Sequence, residues 1–295
     1  MSPPSPGDAW EPDLDPPRAA VVDAVARAVA EDVLPLGDLT AGLVPADRRA
    51  TVDVVSRATG VVAGQACARE TFVQIDPDLE VTWRLPDGTA VVAGSVVASV
   101  AGSLRSILTA ERTALNFLGH LSGVATLTRA FVDAVHASNP ATRVLDTRKT
   151  TPGLRALEKA AVRAGGGVNH RGSLSEAVLV KDNHLGGITI SEAVSRARLR
   201  WPGRMVEVEC DRMDQVREAV DAGATVILLD NMGPGEVAEA AAVIHASGSP
   251  ALVEVSGGVT LASAPALAAA GADLLSAGAL THSAPVLDLG LDLRP

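Results

Sequence analysis

Hydrophobic residues in the first third of the chain follow two different periods, one typical of helices and the other of strands. Valine recurs at helical spacing over residues 18–34, which predicts a helix that ends before Pro35. Residues 51–57 and 91–100 alternate between apolar and polar side chains, which predicts strands on either side of a helix over residues 65–75. This part of the chain is therefore predicted to form a sheet with helices packed on it.

The remainder of the chain is predicted to begin with helix and then to alternate between strands and helices. One or two long helices are predicted over residues 106–137, with a break between Gly119 and Gly123. After Asn139, short apolar runs are each followed by an alanine-rich helical pattern, at intervals of roughly 20–30 residues, the length of one strand–helix unit. These runs start at Arg143, Ala177, Met205, Val226, Leu252 and Asp273.

Alternating units of this kind imply an α/β fold with a parallel sheet, which is either closed as a barrel or open and doubly wound. We favour the barrel because a polar residue or glycine follows nearly every strand, whereas a doubly wound sheet concentrates its functional residues at one switch point. The pattern divides the chain into residues 18–115 and a barrel over 116–284. Residues 285–295 lie outside the alternation and are expected to pack on the first domain, and residues 1–17 are expected to form a flexible tail.

Composition and charge narrow the classes of function. The formal net charge is −10 and aromatic residues make up 2 % of the chain, which disfavours nucleic acids and anionic membranes as partners. The longest uncharged stretch, residues 255–272, contains Gly257, Gly258 and Pro265, so no membrane span is predicted. Two cysteines cannot form a disulfide framework, and residues 1–17 lack the features of a signal peptide, so a cytoplasmic location is expected.

Positively charged residues follow the first strand of the alternating region. Arg148 and Lys149 offer donors for a carboxylate or a phosphate. Pro152, with Thr150 and Thr151 as caps, predicts a helix N-terminus there, which would also favour an anion. The alternative is a solvated basic turn.

A run of glycines precedes a second basic pair. Gly165, Gly166 and Gly167 would let backbone N–H groups approach a ligand closely, and His170 and Arg171 follow them. A helix C-cap followed by a flexible loop explains the same glycines equally well.

Lys181 stands at the end of an apolar strand, where a lysine needs an anionic partner or a covalent role. It is either an electrostatic clamp or the Schiff-base nucleophile of an aldolase-type barrel.

Carboxylates and glycine turns follow the later strands. Glu209 and Asp230 could accept hydrogen bonds from sugar hydroxyls, hold Mg²⁺ directly or through water, or stabilise a developing cation, with a structural salt bridge as the alternative for either. Turns after the last strands of a barrel commonly bind phosphate through backbone amides. The candidates for that role are Ser256, Gly257, Gly258, Gly278 and Ala279, with His282 just beyond them.

Together these candidates form a basic group (Arg148, Lys149, His170, Arg171 and Lys181), an acidic pair (Glu209 and Asp230) and glycine turns that could hold a phosphate. This combination suits a polyanionic substrate beside a phosphorylated sugar. No Ser-His-Asp arrangement is evident in the sequence, which favours catalysis by positioning and electrostatics. Two rival functions remain at this point: a Schiff-base lyase that uses Lys181, and a non-catalytic protein that binds a phosphorylated sugar.

Motifs spread over residues 35–290 resemble those of the quinolinate phosphoribosyltransferase family and occur in the same order. They are Gly37–Thr40, Glu111–Gly123, Asp146–Arg155, Gly165–Arg171, Val180–His184, Val206–Glu209, Leu228–Asn231, Val255–Gly258 and Gly278–His282. One departure concerns the loop geometry rather than the charged residues: Gly172 comes directly after Arg171, one position earlier than in the family pattern, and is followed by Ser173 and Leu174. A related molybdenum-transport-associated branch shares the fold, but the full basic set favours the quinolinate enzymes.

The resemblance implies an N-terminal α/β sandwich domain followed by an incomplete, open α/β barrel of the TIM type. It implies that quinolinate reacts with phosphoribosyl pyrophosphate and Mg²⁺ to give nicotinate mononucleotide, pyrophosphate and CO₂. It also implies a homodimer in which the N-terminal domain of one subunit caps the barrel of the other.

The resemblance further assigns roles to individual residues. Arg112 would reach the quinolinate site from the neighbouring subunit, and Lys149 would lie between quinolinate and pyrophosphate. Glu209 and Asp230 would contact the ribose and the metal region; together with Lys149 and Lys181 they are the expected catalytic residues. The residues expected around the quinolinate carboxylates are Arg148, His170, Arg171 and Lys181, and the expected 5′-phosphate residues are Ser256, Gly257, Gly258, Gly278 and Ala279. Thr147 and His282 are further expected substrate-binding residues.

Overall fold

The computed structural model describes residues 14–294 of the chain. Most of the predicted tail, residues 1–13, lies outside this range. Within the described part, the backbone carbonyl of Asp15 accepts a hydrogen bond from Nη2 of Arg163 at 3.1 Å. The tail is therefore held against the barrel from this point onward.

Helices and strands alternate along the described chain. The helices are α1 (Arg18–Val33), α2 (Gln65–Ile75), α3 (Leu104–His136), α4 (Arg155–Ala164), α5 (Asp182–Leu185), α6 (Ile190–Arg200), α7 (Met213–Ala222), α8 (Pro234–Ala246), α9 (Ala264–Ala269) and α10 (Ala279–His282), with a short 3-10 helix at Ala41–Leu43. The strands are β1 (Arg49–Ser56), β2 (Gly60–Val61), β3 (Glu80–Trp83), β4 (Ala90–Val91), β5 (Val96–Ser103), β6 (Arg143–Leu145), β7 (Val178–Val180), β8 (Val206–Cys210), β9 (Val226–Asp230), β10 (Leu252–Ser256), β11 (Leu274–Ser276) and β12 (Leu289–Leu293). Among residues 14–294, no helix combines the length and the apolar character needed to cross a bilayer.

The N-terminal sheet is antiparallel, with strand order β12-β1-β5-β3. Helices α2 and the first half of α3 cover it, and their apolar side chains, Phe72 and Ile107 among them, share a core with the valines of β1 and β5. The predicted strand over 91–100 is two strands, because the backbone turns at Gly94, whose φ is +90°. Together with α2 and α3, the sheet forms the sandwich expected from the resemblance.

Helix α3 runs without interruption through the position where a break was predicted. Gly119 and Gly123 instead allow the chain near residue 286 to cross the helix closely. The carbonyl of Gly119 accepts a hydrogen bond from the N–H of Leu287 at 2.9 Å, and a Cβ on Gly123 would lie 2.1 Å from the carbonyl oxygen of Pro285. The glycines are therefore sites of close backbone approach, and the predicted break is wrong.

Beyond this crossing, β12 joins the N-terminal sheet. It pairs antiparallel with β1, in a register that runs from Val52–Leu293 to Ser56–Leu289. Because α3 packs on both hydrophobic cores of the molecule, this strand and α3 tie the two parts of the chain together.

The second sheet has six parallel strands in the order β6-β11-β10-β9-β8-β7. Strands β7 to β11 are neighbours in chain order, and β6 lies beside β11, which is the cyclic order of a barrel opened between β6 and β7. A doubly wound sheet would instead reverse its strand order at a switch point. The open barrel is therefore the observed fold, and a single bridge between Leu145 and Val168 lies next to the gap.

Candidate active site

A cleft of about 230 Å³ lies at the carboxyl ends of the barrel strands. Most of the predicted site residues meet there, although they come from separate strand–helix units. The cleft is lined by Thr147, Arg148, Lys149, His170, Arg171, Leu179, Lys181, Glu209, Leu228, Asp230, Glu254, Ser256, Gly257 and Ser276. Parallel strands bring their carboxyl ends to one edge of the sheet, so the topology accounts for this convergence.

Two arginines form the cationic wall of the cleft. Nε of Arg148 is buried and has no hydrogen-bond partner among the described residues. Burial lowers the pKa of the Arg171 guanidinium, and the nearby positive charge of Arg148 lowers it further. The two guanidiniums repel each other, and Nε of Arg148 lacks an acceptor. An anion placed between them would therefore stabilise both arginines.

Lys181 and Glu209 face each other across the ends of β7 and β8. Nζ of Lys181 donates to Oε2 of Glu209, and the lysine side chain is 41 % exposed while that of the glutamate is 16 % exposed. The predicted anionic partner of Lys181 is therefore the carboxylate that ends the next strand. Lys149 is exposed at the rim, and its N–H donates to Oγ1 of Thr147 at 2.9 Å.

Asp230 ends β9 and is oriented by a residue that the sequence did not single out. Nδ2 of Asn231 donates to Oδ2 of Asp230 at 2.7 Å, while the N–H of Asn231 donates to the carbonyl of Ser256 at 3.0 Å. Asn231 has a φ of +58°, which asparagine tolerates better than most residues. A Cβ on Gly257, whose φ is +82°, would lie 2.4 Å from Oδ1 of Asn231, so this glycine makes room for the asparagine.

Glu254 lines the cleft, and a second buried carboxylate, Glu207, lies behind it against His170. Glu207 is fully buried and Glu254 is 1 % exposed, and both face the imidazole of His170. Burial raises the pKa of Glu254 to about 7, and the nearby charge of Glu207 contributes to the rise. Sequence alternation does place Glu207 on the same side of β8 as Glu209, but it does not indicate how deeply Glu207 is buried.

A second set of buried polar residues supports the loops that carry the basic wall. Asp146 accepts hydrogen bonds from Nζ of Lys159 and from Nδ2 of Asn169, the latter at 2.6 Å. Nη2 and Nη1 of Arg155 donate to the carbonyls of Arg148 and Gly172, at 3.2 and 3.1 Å. Arg155 thereby ties the two basic loops to each other. Sequence reasoning missed Lys159 and Arg155, which lie within α4 and look like ordinary surface charges of a helix.

Five predicted residues do not line the cleft of this chain. Arg112 is exposed on α3 and lines a separate depression with Val286 and Leu289. Gly258 is exposed, Ala279 begins α10, and Nδ1 of His282 lies 2.7 Å from Oγ of Ser283. A Cβ on Gly278 would lie 3.0 Å from Cδ of Lys149, so this glycine packs behind the lysine. The residues outside the cleft are Arg112, Gly258, Gly278, Ala279 and His282.

Two of the proposed anion-binding backbone segments have other roles. Gly165 caps the C-terminus of α4, and Cβ atoms on Gly165 and Gly167 would lie 2.6 and 2.8 Å from side-chain atoms of Thr128 on α3. The glycine run therefore follows the C-cap explanation, with packing on α3 added. Helix α4 starts at Arg155 and not at Pro152, which lies in a turn, so the predicted helix start is wrong by three residues.

A larger groove of about 550 Å³ crosses the edge of the N-terminal sheet and contains Arg48, Arg49 and Arg294. Arg294 is paired there with Asp53, and none of the predicted site residues lies in this groove. The cleft at the barrel strands, not this groove, is the candidate active site.

Fold and cleft define an α/β-barrel protein with a candidate site for an anionic ligand at the carboxyl ends of its strands. Family models for the N-terminal and C-terminal domains of quinolinate phosphoribosyl transferase match residues 38–122 and 124–292. The chain belongs to the quinolinate phosphoribosyltransferase family.

Individual relatives agree with this assignment. The chain is 40 % identical to a carboxylating nicotinate-nucleotide pyrophosphorylase of Mycobacterium leprae, over 93 % of this chain and 97 % of the relative. It is 44 % identical to a probable enzyme of the same name from Synechocystis, over 81 % of both chains. The structure of the nicotinate-nucleotide pyrophosphorylase from Francisella tularensis superposes with a TM-score of 0.89 at 38 % identity, covering 95 % of this chain and 98 % of that one.

Proposed function

We propose that the chain transfers the phosphoribosyl group of phosphoribosyl pyrophosphate to quinolinate, with loss of CO₂, to form nicotinate mononucleotide and pyrophosphate. The observation that carries the proposal is the pair Arg148 and Arg171, which line the cleft together and leave Nε of Arg148 without a hydrogen-bond partner among the described residues. Quinolinate carries two adjacent carboxylates, and two guanidiniums in one wall match that charge and its planar geometry.

The carboxylates of Glu209 and Asp230 support the ribosyl-transfer step of the reaction. When pyrophosphate leaves, positive charge develops on the ribosyl carbon, and Glu209 and Asp230 stand opposite the basic wall to stabilise it. When CO₂ leaves, an electron pair remains on the ring carbon next to the cationic nitrogen, and Arg148, Arg171 and Lys181 stabilise this negative charge. The reaction is thus promoted by fixed charges of both signs, without a covalent intermediate on the enzyme.

Mg²⁺ is the metal that we propose for this site. Asp230 and Glu209 lie at the carboxyl ends of adjacent strands, and both line the cleft. Hydrogen bonds from the described residues occupy Oδ2 of Asp230 and Oε2 of Glu209, which leaves the second oxygen of each group available. Oxygen ligands of this kind fit Mg²⁺, which usually keeps several waters and binds through one or two carboxylates and substrate phosphates. The ion would neutralise the charge of the departing pyrophosphate.

We also propose a homodimer in which Arg112 completes the cleft of the partner subunit. Arg112 does not line the cleft of its own chain. The segment that follows α1 exposes apolar side chains, with Leu36 at 77 % and Leu43 at 84 % exposure. It is attached to α3 near Arg112, since Oγ1 of Thr109 donates to Oδ2 of Asp38 at 3.2 Å. An exposed apolar segment beside a functional arginine favours burial against a second copy.

The Schiff-base alternative is disfavoured by the surroundings of Lys181. A lysine nucleophile needs a neutral amine, which apolar burial or a neighbouring cation provides. Lys181 is instead 41 % exposed, and its Nζ donates to the carboxylate of Glu209, so apolar burial is lacking. The lysine is therefore proposed as an electrostatic clamp for a substrate carboxylate.

A reducing compartment such as the cytoplasm is proposed as the location. Cys67 and Cys210 are free and buried, and burial raises the pKa of each thiol to about 12. Such thiols behave as small apolar side chains and need no oxidising environment.

The decisive experiment incubates the protein with quinolinate, phosphoribosyl pyrophosphate and Mg²⁺ and follows nicotinate mononucleotide. Nicotinate, which lacks one carboxylate, is expected to be a poor substrate, because it leaves cationic groups in the wall unpaired. Sites of this kind reject such an analogue by up to about 10⁴–10⁵-fold in kcat/KM. Comparable kcat/KM values for the two acids would overturn the assignment of the basic wall, and a borohydride-trapped adduct on Lys181 would restore the Schiff-base alternative.

A further inference from the structure

Every polar atom of His170 already has a partner within the protein. The backbone N–H donates to Oδ1 of Asp146 at 3.0 Å, and the backbone carbonyl accepts from Nζ of Lys159 at 2.7 Å. In the ring, Nδ1 accepts the N–H of Arg171 at 2.8 Å. Its Nε2 faces Oε2 of Glu207 at 3.1 Å.

The imidazole ring of His170 also lies close to the carboxylate of Glu254. Oε1 of Glu254 is 3.5 Å from Nε2 of His170, and the histidine side chain is only 9 % exposed. Glu207 is fully buried, and no described residue gives either of its oxygens a hydrogen bond of good geometry, so the 3.1 Å approach of Nε2 of His170 is a close polar contact. His170 is the described side chain that lies within ion-pair distance of Glu207, and a carboxylate at this depth without a polar neighbour would be strongly unfavourable.

The contact with Arg171 decides where the ring carries its proton. An N–H that points at Nδ1 requires a lone pair on that nitrogen, so the proton of a neutral ring lies on Nε2. Burial lowers the pKa of His170 and the two carboxylates raise it, with a net rise. A charged ring, however, would set two N–H groups against each other at 2.8 Å, so the Arg171 contact favours the neutral form.

The same tautomer argues against a metal ion at this place. Ligand atoms of His170, Glu207 and Glu254 all lie within 4.8 Å of one another, a spacing that a cation could use. Nε2 would have to give a lone pair to that cation, but in this tautomer Nε2 carries the proton and has no lone pair to give.

We propose that His170 is a positioning residue that does not itself contact the substrate. Its Nδ1 holds the backbone of Arg171, and its Nε2 lies against the buried carboxylates of Glu207 and Glu254. This inference rests on the proposed function only in so far as Arg171 binds quinolinate. It differs from the role that the resemblance assigned to His170, because Nδ1 accepts the Arg171 N–H and Nε2 lies 3.1 and 3.5 Å from the carboxylates of Glu207 and Glu254, which would repel a substrate carboxylate.

Arg171 needs such a contact because a second guanidinium, that of Arg148, lies near it in the cleft. Arg148 repels Arg171 when the cleft holds no anion, so the loop that carries Arg171 would relax outward without a constraint. The imidazole fixes the Arg171 N–H, and Nη1 of Arg171 donates to the carbonyl of Ala177 at 3.1 Å. Backbone and side chain of Arg171 are therefore held separately, which preorganises it for a carboxylate.

The first test observes the ring directly. Protein labelled with ¹⁵N at histidine is examined by NMR between about pH 6 and 8, where a free imidazole titrates, and His170 is assigned by the loss of its signals in His170→Asn. We expect a protonated Nε2 and a bare Nδ1 throughout, with or without quinolinate. A proton on Nδ1, or a change of tautomer when quinolinate is added, would overturn the proposal.

The second test compares two substitutions kinetically. Oδ1 of asparagine occupies nearly the position of Nδ1, so His170→Asn can still accept the Arg171 N–H, whereas His170→Ala cannot. Loss of one such hydrogen bond costs about 1–3 kcal/mol, so KM for quinolinate is expected to rise about tenfold or more in His170→Ala and clearly less in His170→Asn. KM for phosphoribosyl pyrophosphate is expected to stay within about threefold in both, because the ribosyl side of the cleft is untouched.

Equal losses in the two variants would mean that Nε2 contacts the substrate, and the proposal would fail. His245→Ala, an exposed change at the end of α8, is the matched control. If the proposed function itself is wrong, neither wild-type protein nor this control converts quinolinate, so the two failures are distinguishable.

Discussion

Asp230 and Glu209 end neighbouring strands of the barrel, but their contacts leave them with different freedom. Glu209 is paired with Lys181, so removal of the charge of Glu209 also frees the Lys181 side chain. Asp230 accepts a hydrogen bond from the neutral side chain of Asn231. A neutral substitution at Asp230 therefore removes one negative charge and leaves the cationic residues in place, whereas one at Glu209 also changes the contacts of Lys181.

Asp230→Asn is expected to lower kcat by about 10²–10³, the usual cost of one preorganised electrostatic contact, while KM for quinolinate changes little. Glu209→Gln is expected to lower kcat as well and to raise KM for quinolinate, because Lys181 loses its partner. Steady-state kinetics with each substrate varied in turn separates the two results. Asp221→Asn, an exposed change on α7, serves as the control; unchanged turnover in Asp230→Asn with weaker quinolinate binding would move Asp230 to the quinolinate side.

Helix α3 is the element on which the two halves of the molecule depend. Its first half packs in the core of the N-terminal sheet and its second half in the core of the barrel. The chain near residue 286 crosses it at Gly119 and Gly123 before β12 begins. A side chain at this crossing would push the connection away from the helix.

Gly123→Ala is expected to destabilise the protein by about 1–3 kcal/mol, since the added methyl group would lie 2.1 Å from the carbonyl oxygen of Pro285. Gly235→Ala is the matched control: it lies within α8, and a Cβ there meets nothing within 4 Å. Because alanine is the better helix former, this control is expected to be neutral or slightly stabilising. Urea unfolding midpoints measure both changes, and equal midpoints for the two variants would contradict the close crossing.

The elements show which structural features the sequence could and could not predict. Helical and strand periods placed α1, α2, β1 and the strands of the barrel closely, because periodicity is a local property of the sequence. Most charged residues of the cleft were likewise predictable, since they lie at or shortly after the carboxyl end of a strand or beside the glycine run. The roles of Gly123 and Gly165 were not, because each is set by a neighbour far away in the sequence: Pro285 for the first and Thr128 for the second.

Buried polar residues were the second class that the sequence could not assign. Glu254, Lys159 and Arg155 become recognisable as parts of the site only when the barrel brings their strands and helices together. Periodicity indicates which face a side chain occupies, but not which charge will lie beside it.

For the whole molecule, the expected dimer makes a prediction about mixed subunits. Arg112→Ala and Lys181→Ala proteins should each be nearly inactive, yet subunit exchange between them should restore activity. In a mixed dimer one cleft receives an intact Arg112 from one chain and an intact Lys181 from the other. Random assortment makes about half of the dimers mixed, each with one good site of two, so recovery near a quarter of wild type is expected.

The control for this experiment exchanges Arg148→Ala with Lys181→Ala. Both residues line the cleft of one chain, so no mixed dimer has an intact site and the mixture should stay inactive. Recovery in both mixtures, or in neither, would show that Arg112 does not act across the subunit boundary.

The pairing of β12 with β1 also has a consequence for synthesis on the ribosome. More than 200 residues separate the two strands along the chain. At about 5–20 residues per second, the edge of β1 waits roughly 10–50 s for its partner after it has been translated. During this time the nascent N-terminal sheet presents open backbone donors and acceptors, which readily pair with other chains. Ribosomes that stall before residue 289 therefore release the species most prone to aggregate, and neighbouring nascent chains on one messenger RNA carry the same open edge.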